Sequence, residues 1–436
     1  MDVATTFSKT LKFFSFVFCF ALLCACETTG DKAAVPYNSL KNSDCSGNSV
    51  ENRYVIKWKD GEVTGATFES EEEMREVLSH FNGDIEIVED DQILKSQDFT
   101  VSQAAMATAN WGQDSVEAAN AWNQNVKGDG VTVAIIDSGV DRTHSQIAPR
   151  IAINSGEIAN NGVDDDGNGV IDDVAGYWFW MESKDGQVII HDTPNVVDTT
   201  GHGTHVAGIV AADHTTGGIK GIAPKAKILP IGFMSTFFNP KTGKVEGTGG
   251  GLLSDAARAI QYAVSRNVKV INASWGGGSC TKTLRSVISD LESQGILFVD
   301  AAGNTGSNLE FNPEFPAAFG LPGQIVVGSY GPAGGQSQFS NYSVNLVHLL
   351  APGDDIVSTY PGNDIMKMSG TSMASPFVAG VAALLMSDRP TATVAQIKQA
   401  IVSSVVTGDF EVMSRGKLNV KNALAAIRAA VPSSAP

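Results

Sequence analysis

Residues 369–376 read Ser369-Gly370-Thr371-Ser372-Met373-Ala374-Ser375-Pro376, and the apolar run that follows continues to Leu385. A helix that is apolar on every side has no solvent face, so it must lie inside a large core. Pro376 suits the first turn of such a helix, where a backbone N–H has no partner to lose. The buried N-terminus then aims a fixed positive dipole at Ser372. Taken alone, a serine in that place is more often an N-cap than a nucleophile.

Working outward, strand-like apolar runs recur at residues 131–136, 228–231, 268–273, 296–301, 325–327 and 345–350. Helix-like segments at 206–212, 254–265 and 284–294 lie between several of them. This alternation predicts an α/β domain over residues 110–430, with a mainly parallel sheet and helices on both faces. Residues 431–436 read as a frayed tail. Such sheets collect their chemistry at the carboxyl ends of strands and the starts of helices. Two more strings belong there: Val133-Ala134-Ile135-Ile136-Asp137-Ser138-Gly139-Val140-Asp141, and Gly201-His202-Gly203-Thr204-His205-Val206-Ala207-Gly208. By themselves they leave the roles open, since Asp137 could be a turn residue and His202 a metal ligand, a base or a core residue.

Together, in the order Asp, His, Ser, the three strings resemble the subtilisin family of serine peptidases; chymotrypsin and the α/β-hydrolases use other orders. The resemblance runs from Trp111 to Leu424 and takes in Gly221-Ile222-Ala223-Pro224, Asn272-Ala273-Ser274-Trp275-Gly276, Ala301-Ala302-Gly303-Asn304 and Phe339-Ser340-Asn341-Tyr342. It implies a triad of Asp137, His202 and Ser372, with Asn304 as the oxyanion donor. It also implies that an extended protein or peptide substrate adds a strand between Gly249-Gly250-Gly251 and Ser274-Trp275-Gly276, beside Ala301, Ala302 and Gly303. Trp275 either lines that cleft or fills core. His205 is expected to be structural.

Asp164-Asp165-Asp166-Gly167-Asn168-Gly169-Val170-Ile171-Asp172-Asp173 matches the opening of an EF-hand calcium loop, with Ala175 in place of the usual bidentate Glu. Asp164, Asp166, Asn168, Asp172 and Asp173, with the Val170 carbonyl, are the candidate calcium ligands; an Asx-rich turn is the alternative. Loops of this kind follow the Asp motif in calcium-dependent relatives.

The N-terminal part divides further. Residues 1–25 have the basic start and short apolar run of a secretory signal. Leu23-Cys24-Ala25-Cys26 resembles a lipobox, which implies lipidation of Cys26, against ordinary signal cleavage. Residues 26–52 read as a polar tether. Residues 53–97 are a small α/β unit with a core too thin to stand alone, resembling the propeptides of the family, which block the cleft as intramolecular inhibitors. Residues 98–109 are the expected processing linker, and a cut there is expected to free both the cleft and the catalytic domain.

The net charge of −17 argues against nucleic acid or anionic membrane surfaces as partners. Membrane contact is expected only through the precursor's lipid, and the mature enzyme is expected to be secreted or extracytoplasmic. Of five cysteines, Cys19 and Cys24 leave with the signal, Cys26 carries lipid, and Cys45 and Cys280 lie in parts expected to separate. No structural disulfide is therefore expected.

Overall fold

The computed structural model describes Tyr37–Asn38 and residues 49–96, 99–103, 110–184, 187–198, 200–239, 244–277 and 280–432. The expected signal, Cys26, most of the tether, residue 97 and residues 98 and 104–109 of the joint lie outside them.

The chain first builds a small antiparallel unit from β1 (Ser49–Trp58), β2 (Val63–Thr67), helix α1 (Glu71–Ser79) and β3 (Ile85–Ser96). Strand β1 is the middle one, paired with both β2 and β3. Alternate residues of a strand point to opposite faces, and β1 uses both. Tyr54, Ile56 and Trp58 join Met74, Val77 and Leu78 of α1 in one buried cluster. Val55, Val63 and Leu94 belong instead to a cluster of the large domain that includes Phe233, Ala257 and Trp275. The thin core is thus half of a sandwich, and the large domain supplies the other layer. Strand β3 runs unbroken from Ile85 to Ser96, and its far end leaves this unit.

Strand β4 (Thr100–Gln103) follows, then β5 (Thr132–Asp137), α2 (His202–Ala211), β6 (Lys227–Gly232) and β7 (Lys244–Leu252). Next come α3 (Leu253–Ser265), β8 (Val270–Ala273), β9 (Trp275–Gly276), α4 (Lys282–Asp290), β10 (Leu297–Ala301) and β11 (Gln324–Tyr330). The chain closes with β12 (Leu349–Pro352), β13 (Ile356–Tyr360), β14 (Asp364–Ser369), α5 (Thr371–Asp388), α6 (Val394–Val402) and α7 (Val420–Ala430). The central sheet runs β12-β11-β10-β8-β5-β6 in parallel, the expected α/β architecture. One face buries α2, α5, α6 and α7, and the other buries α3 and α4. Among the described residues no helix is long and apolar enough to cross a membrane.

Two expectations shift locally. The run at 345–350 becomes a strand only at Leu349, because the Ser343 hydroxyl accepts the Asn345 and Leu346 N–H groups at 3.0 Å and holds a turn. The expected helix at 284–294 ends at Asp290 and tightens into a 3₁₀ turn that stops at Gly295. A third expectation is overturned, since Cys280 is disulfide-bonded. The segments expected to part are here packed together.

Candidate active site

Three elements deliver the central groups. Asp137 ends β5, His202 opens α2, and Ser372 lies in the first turn of α5. Close packing brings the first two together: a Cβ on Gly203 would meet the Gly139 carbonyl oxygen at 2.0 Å, so only glycine lets α2 begin against the turn after β5. The His202 Nδ1 then lies 2.8 and 3.0 Å from the two Asp137 oxygens. Both side chains are fully buried.

A carboxylate that the sequence reading missed braces this pair. Asp198 is half-buried and accepts from the Ser138 hydroxyl, the N–H groups of Thr200, Gly201 and Thr204, and the Thr204 hydroxyl, at 2.6–3.1 Å. Ser138 in turn accepts from the Gly203 N–H and gives its own N–H to Asp137. Asp198 thereby joins the end of β5 to the start of α2, and burial pushes its carboxyl above the usual range even against those hydrogen bonds. Its place four residues before His202, at the mouth of a helix without a side-chain cap, was the available signal.

Ser372 donates to the Ser274 carbonyl at 3.2 Å, and His202 Nε2 makes no hydrogen bond among the described residues. The helix begins at Thr371, so Pro376 sits one turn in, not in the first turn as the sequence suggested. A proline there has no N–H for the carbonyl four residues back. That carbonyl belongs to Ser372, and the Ser274 hydroxyl donates to it at 2.9 Å. Ser274 therefore holds Ser372 at both its hydroxyl and its carbonyl.

Asn304 follows β10 across Ala302 and Gly303. Its Oδ1 accepts the Thr371 N–H and hydroxyl, each at 2.8 Å, which sets the amide plane beside the start of α5. Gly303, with φ of 103°, donates to the Thr371 hydroxyl, and a Cβ there would meet a Glu314 carboxylate oxygen at 2.5 Å. Glu314 was not picked from sequence. It is held by Asn341 and Thr305.

The cleft contains the chain's own N-terminal part. The end of β3 pairs antiparallel with β7, Lys95 opposite Gly250 and Leu94 opposite Gly251. On its other edge it pairs with β9, Ser96 opposite Trp275 and Lys95 opposite Gly276. Beyond two undescribed residues, the Phe99 ring packs on the His202 ring at 4.7 Å. Strand β4 then pairs with β14, Ser369 opposite Thr100 and Met366 opposite Gln103. The side chain of Trp275 is core, fully buried, with its N–H on the Ile136 carbonyl and its ring edge-on to Phe233; only its backbone faces the cleft. His205 gives Nε2 to the carbonyl region of Ile356 and Met366, tying α2 to the β13–β14 hairpin, and burial drives its pKa to about 3.

The acidic loop gathers only part of its expected ligand set. Carboxylate oxygens of Asp164 and Asp166 lie within 4.8 Å of one another and of Glu157, a residue outside the motif. Asn168 gives its amide to Asp173, and its Oδ1 accepts the Val170 N–H. Asp172 accepts the N–H groups of Asn161 and Gly162. Asp173 is buried against Arg266 and the Tyr262 hydroxyl. Three hard oxygen donors suit calcium, which takes six to eight oxygens including carbonyls and water.

Residues 128–424 match the Subtilase family. The chain is 32% identical over 309 residues to the thermostable alkaline protease of Halalkalibacterium halodurans, covering 71% of this chain and 70% of that one. It is 34% identical over 276 residues to the major intracellular serine protease of Bacillus subtilis, covering 62% and 73%. With subtilisin DY of Bacillus licheniformis it shares 30% over 318 residues, 72% of this chain and 98% of the other. The chain belongs to the subtilase family and is a serine endopeptidase of the subtilisin type.

Proposed function

We propose that this chain is a self-processing zymogen, in which residues 49–96 form an inhibitory propeptide and Asp137, His202 and Ser372 cut the joint that follows it. The observation that carries the reading is the path of the chain across Ser372, as a strand on each side of the nucleophile with the propeptide's own sheet behind it. Helix caps add to the grip. Glu89 accepts from the N–H groups of Lys282 and Thr283 and from the Thr283 hydroxyl at 2.9–3.0 Å, at the start of α4. Asp91 accepts from Ser254 at the start of α3 and from Arg53 of β1. Negative charge is stabilised at both helix N-termini.

The chemistry follows from the residue types. In a productive approach the Ser372 hydroxyl turns from the Ser274 carbonyl to His202 Nε2, which takes its proton as the oxygen attacks. Asp137 fixes the imidazole tautomer through Nδ1–H and stabilises the imidazolium. The Asn304 amide and the Ser372 N–H stabilise the oxyanion. His202 then protonates the leaving amine, and water repeats the sequence on the acyl-enzyme.

Register narrows the cut. Ser96 pairs with Trp275 and Thr100 with Ser369, on the two sides of Ser372. The expected scissile bond therefore lies between Ser96 and Thr100, at the start of the linker 98–109. Calcium at Glu157, Asp164 and Asp166 would bind the folded loop and add its binding free energy to stability. Export by the N-terminal signal, with lipid on Cys26, would hold the precursor at a membrane.

Intact-mass analysis of the full-length protein tests the reading. The wild type should yield a fragment beginning between residues 97 and 100, and Ser372→Ala should stay whole. Equal cutting of both would assign maturation to another peptidase.

A further inference from the structure

Cys280 lies immediately before Thr281, which caps α4, and it is half-buried against the cluster that also receives Leu94 and Val55 of the propeptide. It is disulfide-bonded. The chain has five cysteines, and the other four, Cys19, Cys24, Cys26 and Cys45, all precede Ser96. The partner sulfur therefore stands on the N-terminal side of the maturation joint, whichever of the four supplies it, while Cys280 stands on the catalytic side. The surroundings of Cys280 are propeptide contacts: Lys282 and Thr283 donate to Glu89, and Lys57 donates to Ser286 at 2.6 Å.

We infer that the disulfide at Cys280 spans the joint, so that the cut leaves the propeptide covalently attached to the catalytic domain as a tethered inhibitor, which a dithiol reductant releases. The inference rests on the reading of residues 49–96 as a propeptide. Tethering matters because a linked partner acts at an effective concentration of the order of millimolar, set by the linker and not by dilution. A cleaved but bridged chain stays closed where a free propeptide would dissociate.

The release step balances as thiol–disulfide exchange. One thiolate of the dithiol attacks a bridge sulfur, and its second thiol resolves the mixed disulfide. Two electrons pass to the bridge, Cys280 and its partner leave as thiols, and the reductant leaves as its own disulfide. No peptide bond changes. A Cys26 bearing a thioether lipid has no thiol for this bond. A lipidated chain bridged through another cysteine would then remain at the membrane after the cut, which revises the expectation that cutting alone frees the catalytic domain.

The test uses the full-length protein, matured without reductant and then divided. Denaturing mass analysis should show one bridged species carrying a cut chain, resolved into two fragments by dithiothreitol. Dithiothreitol should raise peptidase activity at least about tenfold on dilution. Cys280→Ser should separate without reductant and give no dithiothreitol response. Fragments of the wild type that separate unreduced would overturn the inference, and so would iodoacetamide labelling of Cys280 in unreduced, denatured chain. The labelling arm decides the bridge even in an uncut chain. Absence of Ser372-dependent cutting alongside a protected Cys280 would instead reject the zymogen reading and keep the cross-link.

Discussion

Removing the Glu89 carboxylate should loosen the propeptide far more than its single side chain suggests. Glu89 is fully buried and takes two backbone N–H groups and a hydroxyl from the start of α4. Hydrogen bonds to a charged group are worth about 1.5–3 kcal/mol each, and a helix N-terminus adds up to about 2 kcal/mol in a partly buried site. Water that enters the space left by Glu89→Ala recovers part of this. A net loss of about 3–5 kcal/mol, the usual cost of removing one side of a buried charged contact, is the working figure. At about 1.4 kcal/mol per decade it weakens inhibition by about 10²- to 4 × 10³-fold. Glu89→Gln keeps one acceptor oxygen but turns an amide toward N–H donors, so it should fall between. The assay is the inhibition constant of added residues 49–97 against enzyme matured and reduced, measured for wild type, Gln and Ala. An Ala variant within threefold of wild type would refute the helix-cap account of propeptide binding.

Asn304→Ala should lower kcat by about 10²–10³ with KM little changed, the loss established for this donor in a subtilisin and not worked from these distances; a KM effect alone would remove Asn304 from the oxyanion role. Chelation should lower the melting temperature of the Ser372→Ala protein if Glu157, Asp164 and Asp166 hold calcium, and Glu157→Gln should remove most of the chelator response; an unchanged melting temperature in excess chelator would leave a plain Asx-rich turn. Acid should destabilise the fold: burial holds His205 and His348 neutral, each with a pKa of about 3 against an ordinary 6.5, so their contribution is complete above pH 6.5 and is lost as pH falls toward 3. Asp255, pushed to about 7 by burial, works the other way, its contribution present at low pH and lost as pH rises from 3.8 through 7. His144 and His214, lowered by burial, act with these two histidines, and Asp198 and Asp300, raised by burial, act with Asp255, so four histidines against three aspartates leave a net loss of stability on acidification below 6.5. Thermal melts of Ser372→Ala from pH 6.5 to 4.5 check this, and a flat or rising profile would contradict it.

The fold was legible where one chemical signal dominates. The all-apolar stretch after Ser372 could only be a buried helix, and the strands of β5, β8 and β10 are runs of apolar residues flanked by turns. Asp137 and His202 were singled out through the resemblance of the three strings to the subtilisin family, since each string alone left its role open. Contacts made by single charged side chains across long sequence distances were not readable. Glu89 and Asp91 look like surface acids on an alternating strand, and only the docked helices make them buried caps. Glu157 sits seven residues before the acidic motif it joins, and Asp173 looks like a ligand until Arg266, 93 residues later, takes it. Trp275 had two fair readings, and the ring of Phe233 decides for core. The Cys280 bridge was missed because two parts expected to separate were assumed to be unlinked beforehand.

Fluorophosphonate labelling is the most direct test that Ser372 is the nucleophile and that the chain's own strand covers it. The account predicts fast modification of Ser372 alone in cut, reduced enzyme, none in Ser372→Ala or His202→Ala, and labelling at least about a hundredfold slower in the uncut chain. Modification of another serine, or equal rates before and after the cut, would contradict it.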